Sequence, residues 1–205
     1  RTAPLSHARV EVAQESAPGA GDFDTHVLGS VFTWDYVLTP AELYGWYSGS
    51  TSYTGPGPLP TEDARSFLAI FRSATTGEQG LLVVHDAAQD GSGGTALTRV
   101  TVEGDVNGAQ WLVQDDPQPV DDNYTGVSGD FVFTANQNWS ACCTDGYMLG
   151  PLEAHWAAYV EFTANPIGVN SWSAVAGNAT EIPLVLEVGR RVRVRSLDMD
   201  TTVGT

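Results

Sequence analysis

Asp115, Asp116, Asp121, Asp122 and Asn123 fall within nine residues, around Pro117 and Pro119. Carboxylates crowded this closely repel one another unless a cation or solvent intervenes. A loop that offers several oxygen ligands is what a hard cation such as Ca2+ takes. Asp130 and Asp145 follow closely enough to add to the set. The spacing is neither that of the EF-hand nor the Gly/Asp nonapeptide of calcium-binding β-rolls. Two expectations stand side by side: a Ca2+ site drawn from Asp115, Asp116, Asp121, Asp122, Asn123 and Asp145, or a solvated acidic loop.

Cys142 and Cys143 are adjacent and are the only cysteines. One such pair cannot build a zinc or iron–sulfur site without further soft ligands. Three states are open to them: two thiols, bridges to other chains, or a ring joining the two neighbours. Adjacent Cα atoms lie about 3.8 Å apart, below the usual disulfide range. In an oxidising setting the ring is the expected state. Asn123, Asn138 and Asn178 each open an Asn-x-Ser/Thr glycan acceptor. The aromatic residues Trp46, Tyr47 and Trp139 can stack on sugar rings; Trp46 and Tyr47, with Tyr44 and Tyr53, can equally plug one end of a β core.

No recognisable catalytic motif accompanies these groups. His7, His26, His85 and His155 form no HExxH pair, and Gly126-Val-Ser-Gly is not a nucleophile elbow. Glu153 and Glu161 share the parity of one strand face, which a glycoside-hydrolysing pair needs, but no motif flanks them. The expectation is a protein that is not an enzyme.

The elements that position these residues read as strands. Alternation of apolar and polar residues, broken by Gly, Asn, Asp and Pro turns, runs through most of the chain. Candidate strands lie at 8–13, 27–38 (interrupted at Gly29), 66–72, 80–85, 96–103, 109–114, 130–134, 155–163, 171–175, 182–188 and 192–197. Asp105-Val-Asn-Gly108 reads as a hairpin turn. Thr39-Pro40-Ala41-Glu42 is a capping box that starts one short helix near 40–46. The predicted fold is all-β, a single antiparallel β-sandwich of jelly-roll type over residues 22–205. A strand or arm over residues 1–16 precedes it, followed by the hinge Ser16–Gly21.

The chain carries 25 acidic residues against nine basic ones, all arginine, for a net charge of −16. A field of that sign repels nucleic acid and anionic lipid, so neither is an expected partner. No window approaches the ~18 apolar residues of a membrane span. Arg1 is not an initiator methionine, and the chain reads as a processed mature form. The succession Trp111, Asp115-Asp116-Pro117, Trp139, Cys142-Cys143-Thr144-Asp145-Gly146 and Leu149-Gly150-Pro151-Leu152 is similar to segments of secreted bacterial and archaeal surface proteins. That resemblance implies an extracellular or cell-surface setting and no activity.

The leading functional expectation is a structural subunit of an extracellular filament, tube or surface layer, stabilised by Ca2+. Its partners are other copies of itself. The strand marked by Ala8, Val10 and Val12 is the one that a neighbour would receive. Arg190, Arg191, Arg193 and Arg195 offer positive charge to an acidic neighbour. The alternative is a carbohydrate-binding, lectin-like β-sandwich with glycans as its partners.

Overall fold

The computed structural model describes residues 8–44, 61–88, 90–117, 119, 121–178 and 180–197. These form a β-sandwich of fourteen strands with one short α-helix. The strands are β1 (Arg9–Gln14), β2 (Val27–Phe32), β3 (Trp34–Tyr36), β4 (Arg65–Ser73), β5 (Gln79–His85), β6 (Gly94–Gly104) and β7 (Gln110–Gln114). They continue with β8 (Asn123–Thr125), β9 (Val132–Trp139), β10 (Asp145–Leu152), β11 (Trp156–Phe162), β12 (Ser171–Val175), β13 (Glu181–Leu184) and β14 (Val192–Ser196). The helix α1 (Pro40–Tyr44) lies between β3 and β4.

The first sheet runs β2-β1-β14-β11-β6-β9-β8 and is antiparallel throughout. The second runs β13-β12-β4-β5-β10-β7, with β3 beside the far half of β4. Both β12 and β3 pair with β4 in parallel, so this sheet is mixed rather than purely antiparallel. Alternation in β6 maps onto burial residue by residue: Ala96, Val100 and Val102 point into the core while Arg99 and Glu103 face solvent.

The second sheet buries both of its faces. Leu68, Ile70, Leu81, Val83, Tyr147 and Leu149 join the core between the sheets. Phe67, Ala69, Phe71, Leu82, Val84 and Met148 form a second core with Trp34 of β3 and with Leu43 and Tyr44 of α1. This explains the unbroken apolar runs in β4 and β5, since a strand covered on both sides has no polar face to alternate with. The capping box holds as read. Thr39 N–H and Oγ1 donate to Glu42 Oε2 at 2.9 and 2.8 Å, and Glu42 N–H donates to Thr39 Oγ1 at 3.2 Å.

Two expectations are corrected. The stretch 27–38 is not one strand broken at Gly29. It divides at Thr33, and β2 and β3 belong to different sheets. Asp105–Gly108 is not a hairpin turn, because β6 pairs with β9 and β11 whereas β7 pairs with β10 in the other sheet. Both turns carry the chain across the sandwich. Neighbour choice of this kind is set by core packing, not by the turn residues.

Candidate functional site: a buried carboxylate nest

The polar chemistry concentrates at one end of the sandwich, where β4 and β10 begin and β5, β7 and β9 end. The loop after β7 folds back on itself. The Asp116 carbonyl accepts the N–H of Asp121 at 3.2 Å and of Asp122 at 3.0 Å, with Asp116 in the left-handed region at φ 35°. That closure carries Asp122 back beside Asp115. Asp145 opens β10, which pairs with β7. Because β7 and β8 are the edge strands of opposite sheets, the carboxyls meet where the two layers approach.

Asp115 and Asp122 are 0% exposed and Asp145 is 2% exposed. Asp116 is half-buried, while Asp121 and Asn123 are exposed. The sequence thus named the right loop but only part of it turns inward. Burial pushes the Asp115 carboxyl up to about 7; the charges of Asp116 and Asp122 add to this, and a hydrogen bond from Tyr44 opposes it. Burial pushes Asp122 up to about 6, against hydrogen bonds that favour its anion. Asp145 is raised well above the carboxylate range, first by burial and then by the charges of Asp122 and Asp115.

Donors in this nest are few. Tyr44 OH donates to Asp115 Oδ2 at 2.7 Å, and Asn138 N–H to Asp122 Oδ1 at 2.9 Å. Gly146 makes the first of these possible, because a Cβ there would stand 2.7 Å from the Tyr44 hydroxyl. The Tyr124 hydroxyl lies 3.0 Å from Asp122 Oδ2, 3.0 Å from the Asp115 carbonyl and 3.2 Å from the Gly146 carbonyl. Its single proton serves one of these acceptors at a time. Asp115 Oδ1, Asp116 Oδ1 and Asp145 Oδ1 are buried with no hydrogen-bond partner, as is Thr144 Oγ1.

A chain of buried polar groups leads from the nest into the core, and nothing in the sequence pattern announced it. Gln137 Nε2 donates to Tyr124 OH at 3.3 Å, and Gln137 Oε1 lies 3.1 Å from His85 Nε2. Ser66 Oγ lies 2.6 Å from His85 Nδ1. With Gln137 so oriented, Nε2 carries the ring proton and Nδ1 accepts from Ser66. Burial lowers the His85 pKa to about 4, so the ring is neutral. It stacks on Trp139 at 5.5 Å.

A second acidic group lies at the same end. One carboxylate oxygen each from Asp63, Asp86 and Asp90 lie within 4.8 Å of one another, an arrangement that can hold a metal ion. Four of its six oxygens already have donors: Asp86 takes Ala64 N–H at 2.7 Å and Trp139 Nε1–H at 2.8 Å, and Asp90 takes Ser92 N–H at 2.8 Å and its hydroxyl at 2.9 Å. The Asp86-x-x-x-Asp90-Gly spacing after β5 was the available signal in the sequence. Beside these groups Cys142 and Cys143 form the vicinal disulfide, with Cα atoms 3.7 Å apart. Cys142 is exposed, Cys143 is buried, and Cys143 N–H donates to the Ser140 carbonyl at 2.9 Å. The ring fixes the turn that delivers Thr144 and Asp145.

The remaining candidates separate. Trp139 is only 4% exposed, packed between His85 and Asp86, so it is core and has no face for a sugar; Trp172 is 3% exposed and likewise core. Trp46, Tyr47 and Tyr53 lie outside the described residues. Asn123, Asn138 and Asn178 are exposed. Glu161 is held by Arg99 Nε at 2.8 Å, and Glu153 lies in the turn before β11. Val10 and Val12 are fully buried, in a β1 that pairs with β14 on one side and β2 on the other; Ala8 stands just before it.

The arginines near the C-terminus are paired within the chain: Arg190 with Glu187, Arg191 with Glu15, Arg193 with Glu11 and Asp24, and Arg195 with Glu11. They are therefore committed partners rather than charge held out to a neighbour. No protein-family model, no curated protein and no solved structure matches this chain.

Proposed function

We propose that this chain is a non-enzymatic structural subunit of an extracellular assembly, and that copies join by exchanging β1. The observation that supports this reading is the placement of β1. It is the first strand of the described chain, yet it lies inside the first sheet, hydrogen-bonded to β14 and β2, and it fills the core with Val10 and Val12. The loop joining it to β2 turns through Gly19 and Gly21 at φ +74° and +68°, with nothing packed where a side chain would stand. A neighbour's β1 can make the same backbone bonds in the same slot, at little net cost because each bond lost is remade. The contact is head-to-tail and extends into a polymer unless its rotation closes.

The sugar-binding alternative is weakened because Trp139 and Trp172 are buried. Light scattering and electron microscopy of the intact protein test the proposal. Polymers are expected, and a Glu11→Cys/Arg195→Cys pair, which faces across β1 and β14, should lock the strand to its own body and abolish them. Material that stays monomeric at every concentration and salt overturns the reading.

A further inference from the structure

We propose that Cys142 and Cys143 form a thiol-exchange latch: a dithiol attacks Cys142, opens the ring and frees the link that ties β9 to β10. The inference is independent of strand exchange. β9 lies in the first sheet and β10 in the second, so residues 140–144 carry the chain across the sandwich. Both ends of the link are anchored. Trp139 is 4% exposed and Asp145 is 2% exposed, and Asp145 stands opposite His85 in the ladder with β5. The link itself holds little. Among the described residues, the one backbone hydrogen bond within it runs from Cys143 N–H to the Ser140 carbonyl at 2.9 Å. A segment with so few bonds opens locally at low cost unless something covalent restrains it.

The boundary between solvent and core falls between the two sulfurs. Ser140, Ala141 and Cys142 are exposed, whereas Cys143 is 6% exposed and Thr144 to Tyr147 are buried. The Ser140 hydroxyl donates to Cys142 Sγ at 3.4 Å, which places that sulfur among the exposed groups. In thiol–disulfide exchange an incoming thiolate attacks one sulfur and expels the other, and access decides which is attacked. Here the reachable sulfur is that of Cys142, and Cys143 on the core side is the leaving group.

The exchange runs in two steps. A thiolate of the dithiol bonds to Cys142 Sγ and breaks the Cys142–Cys143 bond, leaving Cys143 as a thiolate that takes a proton. The second thiolate of the dithiol then attacks its own sulfur in that mixed disulfide and releases Cys142. The dithiol is oxidised to a cyclic disulfide; its two electrons and, through solvent, its two protons end on the cysteines. A monothiol stops at the first step, beside a Cys143 that can expel it again, so the class of reagent is a dithiol. Disulfides exposed in this way are the labile or regulatory ones, not the permanent ones. Once open, the link no longer fixes where Thr144 and Asp145 enter β10, and that end of the sandwich loosens.

The test treats the full folded chain with dithiothreitol, then with iodoacetamide, a neutral reagent on which the charge of the chain does not act. Intact mass should show both cysteines alkylated while the protein still melts cooperatively. With limiting iodoacetamide the label should reach Cys142 roughly tenfold faster than the buried Cys143. Amide exchange after reduction should rise about tenfold or more over 140–147 and stay unchanged over β11 and β14. A double variant, Cys142→Ser with Cys143→Ser, should show that raised exchange with or without dithiothreitol. A ring that resists dithiothreitol until the whole chain unfolds overturns the proposal and leaves a fixed structural bond. Reduction that leaves exchange over 140–147 unchanged, or label that reaches Cys143 first, overturns it as well.

Discussion

Two sets of carboxylates in this molecule live under opposite rules. On the outer face of the first sheet Glu11, Glu15 and Glu161 each face an arginine. Burial alone would raise Glu15, yet the hydrogen bonds from Arg191 outweigh it and hold the group below its ordinary value. At the end of the sandwich Asp115, Asp122 and Asp145 have burial without an arginine among the described residues, and all three are raised. The lesson is that net charge of −16 is not one property. The ion pairs of the described arginines lie on that face and along β4, and none of those pairs reaches the other cluster.

Several measurements sharpen or break this contrast. The largest effect is expected from His85, the neutral end of the polar chain that starts at the nest. Its folded pKa of about 4 lies below the unfolded value of 6.5. Its contribution is therefore fully present above pH 6.5 and is lost as the pH falls from 6.5 toward 4, when the unfolded chain takes up a proton that the fold refuses. The loss is on the order of 3 kcal/mol. The raised carboxyls of the nest stabilise the fold as the pH falls through the same window, so the readout is the difference: urea midpoints of the parent should drop relative to those of His85→Asn between pH 6.5 and 4. Glu15, whose pKa is lowered, loses its contribution only below its ordinary value of 4.5, so the two regions separate in pH.

Next in size is Arg191→Met, which takes a charged partner from Glu15 while leaving it the N–H groups of Gly21 and residue 191. A cost of about 2 kcal/mol is expected; it is moderated because the Arg191 side chain is 36% exposed. The sign should reverse for Asp145→Asn. Removing one of several crowded buried carboxyls should stabilise the protein by about 1 kcal/mol. If both substitutions destabilise equally, the contrast fails. The smallest effect belongs to salt. Molar NaCl should weaken the partly exposed Arg195–Glu11 pair by less than about 1 kcal/mol, and leave the nest nearly untouched.

Local pattern carried much of this architecture. The alternation in β6, the capping box at Thr39 and the paired aspartates around Pro117 and Pro119 each state their role within a few residues. What stayed hidden depends on partners far along the chain. The parallel seats of β3 and β12 on β4 follow from which faces need covering, and no turn residue encodes them. Trp139 reads as a stacking platform until Gly94 and His85 close over it. Asp121 and Asp122 are identical in sequence terms, and only the fold-back at Asp116 decides which of them turns inward. The Ser66–His85–Gln137 chain joins three strands and has no linear signature.

The antiparallel seat of β1 beside β14 has a mechanical consequence. Val10 faces Ser196, and Leu197 N–H bonds to the Arg9 carbonyl at 3.3 Å, so the outer ends of both strands lie side by side. Tension applied between these two ends opens the ladder one rung at a time, which takes little force. A β1 lodged in a neighbour is instead pulled along its length, and every rung must yield together. The same backbone bonds that make a weak zipper within one copy would thus make a strong rivet between two.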